Sequence, residues 1–272
     1  MKQKLKHIGL WVVTLTILIT APSSLKAVII AQDSFDGTGS GFLNGQNTGT
    51  GFGGETWNTN STFFDDPKFD TNARLDYPGV TESGRMVTMR GDFREAWRTV
   101  TSGAGFASYL DGNGNIGADG TELWVGVLLG RETNETVGGT LGISFLRDSS
   151  SPQTTNESII YAGDNFNDTN THMIAIHMQF AAGTDSYTVY TDPNLSLDPT
   201  GGVLNTVADL SFDMVRLEGR VFGTPHSQIN FDELVFGETA QDLGFPIPEP
   251  STYALVVSAF LALCFFRRRR NQ

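Results

Sequence analysis

Between residues 28 and 242 the apolar positions follow a period of two. Short runs in which β-branched and aromatic residues alternate with polar ones are bounded by clusters of Gly, Asn, Asp and Pro. Runs at 28–35, 73–77, 85–90, 93–100, 121–129, 140–147, 157–161, 172–180, 186–191, 212–218 and 227–236 predict about eleven strands, essentially no helix and no internal repeat. So many strands in about 220 residues predict an all-β fold, an antiparallel two-sheet sandwich rather than a small barrel. The stretch 37–54 is Gly-rich, and Phe42, Leu43 and Phe52 are its predicted anchors.

The two ends break this pattern. Lys2, Lys4 and Lys6 precede an apolar run at 8–20 and a small-residue stretch at 21–27, the order of a secretory signal peptide, with cleavage expected after Ala27 and Ala31 as the alternative. At the other end, residues 251–266 are apolar and uncharged. As a helix they would be about 24 Å long, short of the roughly 30 Å hydrocarbon core, a deficit that local thinning and snorkelling arginines can cover. Arg267, Arg268, Arg269 and Arg270 follow. Each would cost roughly 2.5–3.5 kcal/mol at the membrane centre, so the expected topology keeps residues 267–272 cytoplasmic and everything before Pro250 outside. The segment 243–250 reads as a Pro-rich spacer.

Charge changes the picture once these ends are set aside. The whole chain carries −12, but four lysines lie in the signal and four arginines in the tail, so the ten basic residues of the exported domain face all 30 acidic ones, a charge near −20. Nucleic acid and anionic lipid are excluded as expected partners, whereas divalent cations are compatible. The one cysteine, Cys264, is in the tail, which leaves the domain without a disulfide, a cysteine nucleophile or a thiolate metal site.

Pro248-Glu249-Pro250, the short apolar span and the terminal arginine cluster together resemble the PEP-CTERM sorting domain of exported bacterial proteins. That resemblance implies handling by an exosortase-like membrane enzyme, anchoring by the tail at least transiently, export through the Sec pathway and delivery to the cell surface or beyond. The opening run 33–57 and the closing run Phe231-Asp232-Glu233-Leu234-Val235-Phe236-Gly237 are similar to the ends of laminin-G-like and concanavalin-like jelly-roll domains. Segments 120–129 and 187–194 fall between them in matching order. This second resemblance implies a jelly roll over residues 28–242; such folds host lectins, glucanases and structural modules alike.

The sharpest local pattern runs from Asp111 to Glu122. Asp111, Asn113, Asn115, Asp119 and Glu122 stand at positions 1, 3, 5, 9 and 12, the oxygen-ligand spacing of an EF-hand calcium loop, but Ile116 replaces the turn glycine and no helices flank it. The competing reading is a polar turn ahead of a strand. His172 and His177 lie an odd number apart on one predicted strand, face opposite sides and cannot share a metal. Glycosidase chemistry needs two carboxylates about 5–10 Å apart. No Glu-x-Asp-x-x-Glu spacing occurs, and Asp232 and Glu233 are adjacent and point to opposite faces. Serine-hydrolase and phosphate-cradling motifs are missing too. Sugar stacking needs exposed aromatic faces. Among Trp57, Trp97, Tyr109, Trp124 and Tyr161, the residues Trp97 and Trp124 read as core, and Trp57 is the expected exposed ligand contact. The sequence thus points to a non-catalytic exported protein of the surface or matrix that binds polysaccharide. A hydrolase on the same fold and a purely structural coat protein are the alternatives.

Overall fold

The computed structural model describes residues 28–36, 41–59, 67–70, 74–80, 85–90, 93–132, 139–147, 158–164, 166, 168–221 and 228–245. The larger of the chain's two units, Ala27–Glu249, holds every described residue. The expected signal peptide, sorting triplet, apolar span and arginines lie outside the described residues. Among the described residues no helix is long and apolar enough to cross a membrane.

The larger unit is all-β, with two antiparallel sheets. One holds β1 (Ile29–Asp33), β3 (Lys68–Asp70), β4 (Met86–Arg90), β6 (Glu122–Arg131), β9 (His172–Gln179), β10 (Asp185–Thr191), β11 (Val203–Val207) and β13 (Gln228–Gly237), in the order β11-β10-β9-β6-β13-β4-β3, with β1 also paired to β13. The other holds β2 (Asn58–Thr59), β5 (Phe93–Thr99), β7 (Gly139–Leu146), β8 (Ser158–Asp164) and β12 (Met214–Val221), in the order β2-β5-β12-β7-β8. The chain crosses repeatedly from one sheet to the other, and most neighbouring strands are distant in sequence.

Alternation explains the layering. Along β6, Leu123, Val125, Val127 and Leu129 join the main core between the sheets, whereas Trp124 and Leu128 join a second apolar cluster on the opposite face. With both faces buried, this strand reads as a near-continuous apolar run. The smaller sheet contributes Ala96, Leu141, Ile143, Phe145, Ile160, Val215 and Leu217 to the same core, and Phe145 meets Phe236 edge-on at 6.4 Å across the sandwich.

Three departures from the sequence expectation have local causes. The run 73–77 is not a strand; Tyr77 leads into a turn with Gly79 at φ +95°, and the backbone N–H of Leu75 is taken by the Asp232 carboxylate at 3.1 Å. The strands β2, β3 and β11 arise where no run was predicted. Short 3₁₀ helices occur at Ala104–Tyr109 and Ala240–Leu243. Leu243 and Phe245, expected in the spacer, are buried on the outer face of the larger sheet, where Phe245 packs 5.9 Å from Trp124.

Candidate functional site

The outer face of the smaller sheet gathers polar and aromatic groups that no single run of sequence displays. Because Ala96, Leu217 and Ile143 point into the core, their neighbours point the other way. Strand register then places Asn58, Trp97, Arg216, Ser144 and Tyr161 in one row across β2, β5, β12, β7 and β8. A second row, Glu95, Glu218, Gly142 and Gly163, lies beside it. At ~4.8 Å per strand, Trp97 and Tyr161 stand about 14 Å apart.

The centre of this face is a charge cluster. Arg216 bridges two carboxylates, with Nη1 3.3 Å from Glu95 and Nη2 3.1 Å from Glu218. The Ser144 hydroxyl donates to the other Glu218 oxygen. All four side chains are buried, and Trp97 packs at one end against Leu146 and Met214. Tyr161 closes the other end differently. A Cβ placed on Gly142 would lie 2.9 Å from Cε2 of its ring, and one on Gly163 would lie 2.6 Å from its hydroxyl oxygen. The ring therefore lies along the sheet over two glycines, and it remains 38% exposed. An exposed aromatic platform is suited to a hydroxylated ring, which needs a flat apolar partner on one face; the charged groups beside it are buried and paired with one another, and Asn58 is the exposed polar end of the row.

Most residues singled out from the sequence lie elsewhere. Trp57, expected to be an exposed contact, is fully buried. Its indole N–H donates to Asp33 Oδ2 at 2.8 Å, beside the hydroxyl of Thr48 at 2.7 Å and Arg98 Nη1 at 2.9 Å. Arg98 in turn donates to the carbonyls of Thr48 and Glu55 and to Asn47, and lies 4.1 Å over the Phe52 ring. Burial pushes the guanidinium down to about 10 against the pull of Asp33, and burial raises the Asp33 carboxyl despite its hydrogen bonds. The cluster fastens the Gly-rich stretch to the sandwich and offers no face to a ligand.

The calcium-spaced residues Asp111, Asn113 and Asn115 share a hydrogen-bonded turn. Asp111 Oδ1 accepts the backbone N–H groups of Asn113 and Asn115 at 2.7 and 2.9 Å, and Oδ2 accepts the Ser211 hydroxyl at 2.9 Å. Burial would raise this carboxyl, but these bonds together hold it below the usual carboxylate range. Ile116 is fully buried and bridges to Leu110 and Phe212, which anchors the turn in the core where a calcium loop would carry its glycine. Glu122 opens β6 and meets His177 at 2.9 Å. Among the described residues no three His, Cys, Asp or Glu side chains converge to hold a metal, so Asp111, Asp119 and Glu122 do not form the expected acidic set.

Trp97, Trp124 and Tyr109 are buried, as expected of core residues for the two tryptophans. Trp124 stacks on His177 at 4.2 Å on the outer face of the larger sheet. His172 sits on the opposite side of β9, its ring 4.0 Å from Phe166 and its two nitrogens 2.7 and 2.8 Å from Asp192 and Asp168. The two histidines do face opposite ways, yet neither is isolated. Pro248, Glu249, Pro250 and Arg267 to Arg270 lie outside the described residues.

Sequence reasoning missed Glu95, Ser144, Arg216 and Glu218. The signal present was alternation within Glu95-x-Trp97 and Arg216-x-Glu218; the pairing that joins them spans more than a hundred residues.

The chain matches no protein-family model and no curated protein. Among solved structures it resembles an enzymatically active domain of tailspike protein 4 from bacteriophage CBA120, at 12% identity and TM-score 0.35, over 72% of this chain and 22% of that one. It also resembles the receptor-binding domain of botulinum neurotoxin type G, at 10% identity and TM-score 0.41, over 79% of this chain and 50% of that one. A xylan-binding domain from CBM 22 matches at 10% identity and TM-score 0.33, over 80% of this chain and 97% of that one. The chain thus spans about a fifth and a half of the first two, and all three scores are too low to carry an argument.

Proposed function

We propose that this protein is an exported, non-catalytic polysaccharide-binding protein of the cell surface or extracellular matrix. The observation that carries this reading is the row Trp97, Arg216, Ser144 and Tyr161, with Tyr161 laid flat and exposed at its end. A row of about 14 Å across the strands fits an extended sugar chain better than one monosaccharide. Tyr161 supplies the exposed apolar face and Asn58, exposed at the other end of the row, an edge hydrogen bond, while the buried Arg216 cluster holds the face between them. The sorting tail adds the route: Pro248-Glu249-Pro250 and the arginines would pass the chain to an exosortase-like enzyme after Sec export.

A second reading has one specific observation in its favour. Glu95 and Glu218 are directly opposed on neighbouring strands, where Cβ atoms stand roughly 4.5–5.5 Å apart, close to the spacing retaining glycosidases use. Against it, both carboxylates share Arg216, and Glu218 also takes the Ser144 hydroxyl, so their oxygens are engaged within the sheet. A glycan array and a panel of chromogenic glycosides separate the readings. Saturable binding without turnover is expected; turnover abolished by Glu95→Gln or Glu218→Gln would establish the hydrolase instead.

A further inference from the structure

A second concavity lies on the outer face of the larger sheet, away from the row just described. It encloses about 430 Å³ between β1, β6, β9, β13, the turn at Gly79 and the 3₁₀ helix Ala240–Leu243. That size is within the ~300–1,000 Å³ of small-molecule sites. Ile29, Val80, Leu128, Met173, Val235 and Leu243 make an apolar wall, and two acidic residues, Glu233 and Asp242, also line it.

Two features of these acids are unusual. Glu233 sits in a bulge where the register of β13 against β6 shifts between Asp232 and Val235, and its φ is +46°. A left-handed backbone is strained for a non-glycine residue, and bulges of this kind commonly use glycine. Glu233 is also buried, to 8% exposure, and a non-glycine residue held in this conformation points to a use for its side chain. Asp242 is equally buried, and its two oxygens differ. Oδ2 caps the 3₁₀ helix, accepting from Thr239 N at 2.7 Å and Thr239 Oγ1 at 3.0 Å, whereas Oδ1 is buried with no hydrogen-bond partner. An unsatisfied buried acceptor is destabilising, more so when charged, and a bound donor would recover that loss.

From this combination we infer that the concavity binds a small amphipathic organic cation, an amine with an apolar body. The ammonium would donate to Asp242 Oδ1 beside Glu233, and the body would lie along Val80, Leu128 and Val235. The acidic domain around it favours approach of a cation over an anion.

The test is calorimetric titration of the full chain with hexylamine, against hexanol and hexanoate of the same length. Hexylamine should bind saturably, at least about tenfold tighter than either, a difference of ~1.4 kcal/mol. Glu233→Gly relieves the backbone conformation and should fold while losing at least most of that preference; Asp242→Asn keeps a capping oxygen and should do the same. Val80→Trp fills the space without touching charge and should block all three probes. Equal binding of hexanol or hexanoate, no binding of hexylamine, or hexylamine binding indifferent to all three variants would each overturn the inference, the last two leaving Oδ1 to a water molecule. None of these outcomes bears on Tyr161, so polysaccharide binding stands or falls separately.

Discussion

The domain contains two buried arginine–carboxylate clusters built from the same chemistry and set to different uses. In the first, Arg98 and Asp33 are sealed beneath the Gly-rich stretch, and their partners are backbone carbonyls, Thr48, Asn47 and Trp57 from the same end of the chain. In the second, Arg216 joins Glu95 and Glu218 on an outer sheet face, in rows that end at an exposed aromatic ring. A cluster that saturates itself with backbone is a fastening; one aligned with Ser144 and Tyr161 also sets the surface on which an exposed ring lies. The difference teaches that burial of a charge pair does not reveal its role, and that the neighbours on its row do.

That contrast can be broken from either side. The largest effect is expected from Arg98→Met, which leaves Asp33 buried without its charge partner and should cost roughly 3–5 kcal/mol in urea unfolding. Polysaccharide affinity of the folded fraction should be unchanged, and a cost below about 1 kcal/mol would remove the fastening role. Arg216→Met comes next. It should lose about 2 kcal/mol of stability and, on the proposed function, also weaken polysaccharide binding, because the buried cluster holds the sheet face that carries Tyr161. If affinity is untouched while stability falls, the two clusters are alike after all. Tyr161→Ala should do the reverse of Arg98→Met: less than about 1 kcal/mol in stability, since the ring is part-exposed, and roughly a tenfold loss of affinity.

The smallest effect lies outside both clusters and serves as a control. Burial would lower the His172 imidazole, but its bonds to Asp192 and Asp168 outweigh this and hold it above the usual 6.5. The stabilisation is fully present below about pH 6.5 and is lost as pH rises through the raised folded value. The melting temperature of His172→Gln should therefore lack a decline on that side of neutrality that the natural protein shows. Polysaccharide binding should show no step there in either.

The sequence was most legible where both sheet faces are apolar. The runs at 121–129 and 172–180 lie within a residue or two of Glu122–Arg131 and His172–Gln179, because each strand must fill the core with one set of side chains and the outer cluster with the other. It was least legible at the margins. Val203 and Leu204 are exposed on the edge strand β11, which needs no alternation, and β2 and β3 are too short to carry a period. The site fared similarly. Tyr161 was among the aromatic candidates, but its partners on the row are supplied by register, which is a property of pairing. Trp57 shows the converse error: a tryptophan in a polar, Gly-rich stretch looked exposed, and the acid that buries it lies 24 residues earlier.

On the proposed function, polysaccharide binds the outer face of the smaller sheet. Hydrogen–deuterium exchange of the protein, with and without a polysaccharide selected by the glycan array, tests it most directly. Added protection is expected in Gly139–Leu146, Ser158–Asp164 and Met214–Val221, abolished by Tyr161→Ala. Protection confined to the Gly-rich stretch or to the larger sheet, or no polysaccharide that protects any strand, would contradict it.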